Sequence, residues 1–357
     1  MERTLLKYVD KKTIQARITS KLVKPMFFPN FFGLKKVNSL KWETLVGEKG
    51  APIMADVISW DSAAPIKSRE VIEKLSGDIE KIAIKMAMTE SEINEYNDLL
   101  YKVQGRQDLK DLLDLVYKDT DTCYNGVRGR KEFLAFQLMS TGELLLNAQN
   151  NGAGKYMAQS VNYGVPDGNK TGAAVVWSNA ESATPITDIK AKVKYAKEQG
   201  DVIKHIIMLP DQFAQLQNAA ETKDMVKYYI NNTDKMLITQ DKLNEFLIAN
   251  QLPPVALIDP MVRHESKNHK RTVKRCWEEH RVSFITEKQI GEFQHAPIAG
   301  ENNVTKAVKT KQNDILVSKW CEEEPYREFT KAEANTWPVL HDPSELYLLR
   351  TNATTWS

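Results

Sequence analysis

The chain offers few residues whose type and spacing could do chemistry. Gly152-Ala153-Gly154-Lys155 is the end of a phosphate-cradling loop in outline. The full pattern needs a glycine at 149 and a Ser or Thr at 156, so that backbone N–H groups, an ammonium and a hydroxyl converge on phosphates. Gln149 and Tyr156 stand there instead, and the segment reads as a turn. His264, His269, Cys276 and His280 are zinc-type donors, but spacings of five, seven and four fit no common zinc pattern. Seven Lys and Arg residues between 263 and 281 also oppose a dication. No GxSxG elbow, HExxH helix or Cys–His pair with the right surroundings is present. Glu322-Glu323-Glu324 supplies carboxylates without the geometry of an acid/base pair. The pattern points away from catalysis and from any cofactor or metal.

What remains is a chain built for contact. It has 357 residues, 42% apolar and 27% charged, enough for about two domains or one large one. Mean hydropathy is −0.46, and no stretch approaches the ~18 apolar residues of a membrane span. The N-terminus has no apolar h-region. The three cysteines, 123, 276 and 321, are far apart, which fits a reducing cytoplasm without structural disulfides. The net charge of +2 conceals segregation. Residues 1–50 hold eleven basic and four acidic residues, net +7, and residues 321–357 hold three basic and seven acidic, net −4. Opposite charge at the two ends suits either a neighbouring copy of the chain or, for the basic arm, nucleic acid.

The elements that position these charges are mixed α+β. Residues 1–33 read as an arm in which Phe27, Phe28, Phe31 and Phe32 sit among Pro25, Pro29 and Gly33. Prolines bar a regular helix there, and the four rings dock on the chain's own core or on a partner. Residues 37–60 read as strands. Over 69–79 the spacing of Ile72, Leu75 and Ile79 suggests a helical turn, while Ile82, Ile84, Met86 and Met88 alternate as in a strand. Residues 51–88 thus form an extended β excursion. Thr89-Glu90-Ser91-Glu92 has capping-box spacing and starts a helix. Leu109 to Val116 marks a second helix and Arg128 to Leu146 a third. Residues 155–163 alternate like a strand, and Pro185–Gln199 is a helix closed by Gly200. His205–Leu209 is a strand that Pro210 ends, a helix follows from Asp211, and 254–258 and 282–285 are strands. Between those strands lies a basic hairpin carrying Arg263, Lys270, Arg271, Lys274 and Arg275. Residues 337–340 and 346–349 read as a closing pair of strands.

This ordered series resembles the lambda-type family of tailed-phage major capsid proteins, with the Hong Kong 97-type fold. The likeness rests on Gly154-Lys155-Tyr156, Val176-Trp177-Ser178, Thr184-Pro185-Ile186-Thr187-Asp188-Ile189, and a strand running through Pro210 into a helix. It rests also on Tyr326-Arg327-Glu328-Phe329-Thr330 ahead of Pro338-Val339-Leu340-His341-Asp342-Pro343-Ser344-Glu345-Leu346. It covers residues 50–357, and the arm matches by position only.

The resemblance implies an arm and lead-in strands over 1–50 and a β-hairpin over 51–90 that reaches across a neighbour. It implies a peripheral domain with a spine helix over 91–183, an axial domain over 184–320, and strands over 321–357 that return to the peripheral domain. Candidate contacts between subunits are Trp60, Lys67 and Arg69 in the hairpin and Phe27, Phe28, Phe31 and Phe32 in the arm, though the resemblance does not account for the Phe cluster, whose partner stays open between the chain's own core and a neighbour. The implied function is the icosahedral head shell of a double-stranded DNA phage, made in the host cytoplasm as pentamers and hexamers. Expected partners are a separate scaffolding protein, a portal and the packaged DNA, with a decoration protein left open and no membrane. The alternatives are a bacterial nanocompartment shell of the same fold and a DNA-binding protein.

Overall fold

The computed structural model describes residues 12, 14–15, 26–46, 73–102, 106–147, 150–151, 159–230, 238–265, 270–303 and 307–356. Its framework is two β-sheets and one long helix. The first sheet contains β1 (Phe32–Lys36), β4 (Lys81–Thr89), β13 (Gly291–Ala296), β14 (Val308–Gln312), β15 (Ile315–Glu323) and β16 (Tyr326–Leu340). Its order is β1-β13-β16-β15-β14. Strand β16 is fifteen residues long, so one edge has room for β13 at 335–340 and β4 at 327–335, end to end. The second sheet runs β7 (Lys170–Gly172), β17 (Leu346–Arg350), β12 (Arg281–Ile285), β8 (His205–Met208) and β9 (Val255–Leu257). Three two-stranded ribbons complete the strands: β2 (Lys41–Val46) with β3 (Glu73–Asp78), β5 (Glu143–Leu146) with β6 (Gln159–Asn162), and β10 (Met261–Glu265) with β11 (Arg271–Arg275).

Helix α1 (Glu90–Lys102) starts where the capping box places it. The Glu92 carboxylate accepts from the Thr89 N–H at 2.7 Å and the Thr89 hydroxyl at 2.8 Å. Helix α2 (Arg106–Thr141) is a single helix of 36 residues, where the sequence suggests two. Gly126 and Gly129 weaken its middle as isolated helix, but each marks a close crossing. A Cβ on Gly126 would lie 3.1 Å from Ile84 of β4, and one on Gly129 would lie 3.6 Å from Val262 of β10. Gly142, at φ +75°, ends the helix, and its N–H bonds back to the Leu138 carbonyl at 2.8 Å. The last four residues of the expected third helix are therefore strand β5, with alternate residues buried.

Four further helices cover the second sheet: α3 (Pro185–Glu198), α4 (Pro210–Asn218), α5 (Ala220–Ile230) and α6 (Gln240–Ala249). Pro185 and Pro210 sit in first turns, where a missing N–H costs nothing. Gly200, at φ +91°, follows α3 as expected.

The structure corrects three readings. Residues 73–78 are strand, not helical turn, because Leu75 pairs across the ribbon with Thr44. Residues 81–89 leave the excursion and join the first sheet against β16. Residues 337–340 and 346–350 are strands but not partners: they belong to different sheets, and 341–345 crosses between them. The sheets also cut across the linear division. Strands β13 and β14 fall within 184–320, and β15 straddles its end, yet all three belong to the first sheet; β17 falls within 321–357 yet belongs to the second. No helix among the described residues is long and apolar enough to cross a membrane.

Candidate assembly site

The N-terminal segment enters the core and does not stand free. Pro29 lies in a one-turn 3-10 helix over Phe28–Asn30, and the chain then runs into β1, parallel to β13. Phe28, Phe31 and Phe32 are 5%, 8% and 2% exposed. Phe28 meets Phe293 edge-on at 5.3 Å, and Phe31 meets Phe136 of α2 at 5.8 Å. Each buried ring contributes roughly 1.5–3 kcal/mol. The assignment of these three phenylalanines to a neighbour is thus corrected: they fill this chain's own core. Phe27 alone stays open, at 42%. Farther up the arm, Ile14 is fully buried in a cluster with Tyr117, Cys123 and Val317.

Charged residues of α2 fix this segment. The Glu132 carboxylate accepts the N–H groups of Phe27 and Phe28, both at 2.9 Å. Burial pushes its pKa up, against those two donors and Arg128. Lys131 pairs with Asp314 at 2.8 Å, with both side chains at most 2% exposed. Its ammonium lies 4.5 Å from the Phe293 ring centre. Burial lowers its pKa, and Asp314 opposes the shift. Such a pair adds little net stability but is costly to break on one side. Nothing in the sequence separates Lys131 and Glu132 from solvated helix charges, so sequence reasoning missed both.

The β2–β3 ribbon has a rigid root. Trp42 stacks on Tyr163 at 5.2 Å and 15°. It can do so because its cross-strand partner is Gly77, where a Cβ would come within 2.8 Å of the indole. The Thr44 hydroxyl donates to the Leu340 carbonyl at 2.8 Å. The Gln294 amide accepts from the Glu43 N–H and donates to the Glu43 carbonyl. Trp60, Lys67 and Arg69 lie outside the described residues, as does the glycine–lysine run at 152–155.

The basic hairpin is real, and antiparallel pairing joins β10 to β11. Its charges divide by role. Arg275 is bound to Asp211 at 2.6 Å and to Asp259 at 3.0 Å, and the Asp259 hydrogen bond leads the causes that raise its pKa. Lys274 lies over the Phe133 ring at 5.4 Å, and burial lowers its pKa. Both of these hairpin residues are thus occupied within the chain. Arg263, Lys270 and Arg271 are exposed. Cys276 is buried, and burial pushes its thiol pKa up, away from the thiolate that zinc requires.

Comparison with known proteins follows this geometry. The phage major capsid protein E family matches residues 13–350. The chain is similar in fold to a prophage capsid protein of E. coli CFT073, with 14% identity over 96% of this chain and 99% of that one, at a TM-score of 0.58. It is similar to a phage-related protein from Bordetella bronchiseptica RB50, at 11% identity, 96% and 98% coverage and a TM-score of 0.50. A chain of Microbacterium phage Oxtober96 gives 10% identity, 93% and 94% coverage and a TM-score of 0.50. No curated protein sequence matches. The α+β fold with its long helix is the Hong Kong 97-type capsid fold. The family match runs from the arm through the last strand, so the chain belongs to the phage major capsid protein E family and is a capsid protein of a phage virion.

Proposed function

We propose that this chain is the repeating subunit of an icosahedral head that encloses double-stranded DNA, gathered in pentamers and hexamers. The observation that carries the reading is the family match over residues 13–350. Within it, the first sheet with α2 serves as the peripheral domain, and the second sheet with α3 to α6 as the axial domain. The packing of the β2–β3 root supports this use, because Trp42 stacks on Tyr163 and Thr44 bonds to the Leu340 carbonyl. The chain is structural and has no catalytic role. A separate scaffolding protein, a portal and packaged DNA complete the particle. The experiment is expression of the full chain with its neighbouring genes, followed by electron microscopy and sedimentation. Closed shells of regular size are expected; a soluble monomer under every such condition overturns the reading.

A further inference from the structure

Residues 261–275 hold six basic residues and one acidic residue, net +5, in a chain whose total is +2. Register places Arg263 opposite Val273 and Glu265 opposite Arg271, and cross-strand partners share a face of the ribbon. The opposite face, with Val262 and Lys274, rests on α2. The outward face is open: Met261 is 53% and Val273 63% exposed, Arg263 and Arg271 are exposed, and exposed Lys270 stands at the end of the ribbon just before β11. Arg271 pairs with Glu265 at 2.7 Å, yet its side chain stays 66% exposed, and such a pair is weak.

Two kinds of partner seek cations: a phosphate backbone and an acidic protein surface. Met261 and Val273 decide between them. Phosphates offer these side chains nothing to bury against, whereas a protein surface gains about 25 cal/mol for each Å² removed from water. The chain itself displays a matching surface. Strands β15 and β16 join through the two-residue turn Glu324-Pro325, with Glu323 opposite Tyr326. Glu322, Glu323, Glu324 and Pro325 are all exposed. The pairing of β14 stops at Lys319, so among the described residues the end of the hairpin has no flanking strand on that side.

We propose that the outward face of the β10–β11 hairpin receives the β15–β16 turn of a second copy of the chain. Arg263, Lys270 and Arg271 face the three glutamates, and Met261 and Val273 meet Pro325. One surface meets a different one, which is the heterologous contact that closes rings when the rotation allows. The charges set register and encounter rate. This inference rests on the capsid reading.

The test exchanges the charges in the full-length chain, under conditions where the wild type forms particles. One variant carries Arg263→Glu, Lys270→Glu and Arg271→Glu; a second carries Glu322→Lys, Glu323→Lys and Glu324→Lys; a third carries all six. Sedimentation and electron microscopy read particle yield, and thermal melting of unassembled chain reads folding. Each triple variant is expected to lower the yield about tenfold or more, and the combined variant to restore it, because like charges face each other only in the triples. A neutral set, Arg263→Gln, Lys270→Gln and Arg271→Gln, replaces the first if its new acid at 271 beside Glu265 unfolds the chain. Unchanged yield from either triple, or a folded combined variant that does not recover, overturns the proposal. Full yield with loss of retained DNA assigns the hairpin to phosphate and overturns it equally. Absence of particles from the wild type overturns the capsid reading itself.

Discussion

Two backbone N–H groups, those of Phe27 and Phe28, end on one carboxylate, that of Glu132. Hydrogen bonds to a charged group are worth about 1.5–3 kcal/mol each. Glu132→Ala should therefore destabilise the chain by about 3 kcal/mol in urea titration, and Glu132→Gln by less, since its amide oxygen still accepts. Phe28→Ala should cost about 3–5 kcal/mol by opening a cavity. Phe27→Ala should cost under about 1 kcal/mol, because the ring is 42% exposed. Equal losses would mean that the Phe cluster is not divided as described. Lys192 carries a pH dependence. It is 4% exposed, donates to the Asn169 carbonyl at 3.0 Å, and burial pushes its pKa down to about 8. Between pH 8 and the ordinary 10.5 the unfolded chain binds more protons than the folded one, so stability rises with pH across that window. Below pH 8 the buried charge exerts its full cost. The stability difference between Lys192→Met and the wild type should shift in favour of the wild type as pH rises from 7 to 10.5. A difference independent of pH would contradict this.

At the scale of the element, α2 holds the two sides of the protein in register, and its glycines differ in what surrounds them. Gly129→Ala meets only ordinary contact at 3.6 Å. It should gain most of the roughly 1 kcal/mol that alanine holds over glycine in a helix. Gly126→Ala meets Ile84 at 3.1 Å, so the same propensity gain is offset by how far Ile84 yields, and its net effect should fall below that of Gly129→Ala. Gly142→Ala combines φ +75° with Val165 at 2.8 Å and should destabilise by about 1 kcal/mol or more. Melting temperatures of the three variants should therefore rank 129, 126, 142 from highest to lowest. Any other order would show that crossing distances do not govern this helix.

At the scale of the whole molecule, folding and assembly draw on different segments. The β2–β3 root is anchored within the described residues, by Trp42 on Tyr163 and by Thr44 on the Leu340 carbonyl. Removal of 61–68 should therefore leave a folded chain with a wild-type melting curve but no closed particles. Normal particles from that deletion would remove the hairpin from the assembly scheme. A shell sums many modest contacts, and multivalency makes the sum tight. A single lost segment can then abolish the particle without unfolding the subunit.

Local rules were legible in the sequence wherever neighbouring residues settle the outcome. The Thr89–Glu92 capping box, the prolines that open α3 and α4, the glycine after α3, and the alternation of Ile82 to Met88 each act within a few residues. The order of these elements also carried the family. Tertiary structure alone decided what depends on distant partners. The helix over 106–141 stays whole across Gly126 and Gly129 because β4 and β10 press against it there. Residues 81–89 belong to a sheet because their partners in β16, from Arg327 opposite Thr89 to Asn335 opposite Lys81, are distant in sequence but beside them in space. Lys131 and Glu132 became buried anchors because Asp314 and the backbone of Phe27 and Phe28 reach them, and Arg275 lost its freedom to Asp211 and Asp259. A charge or an apolar ring reads the same in sequence whether water or a partner surrounds it, and only the long-range packing of the fold supplies that partner.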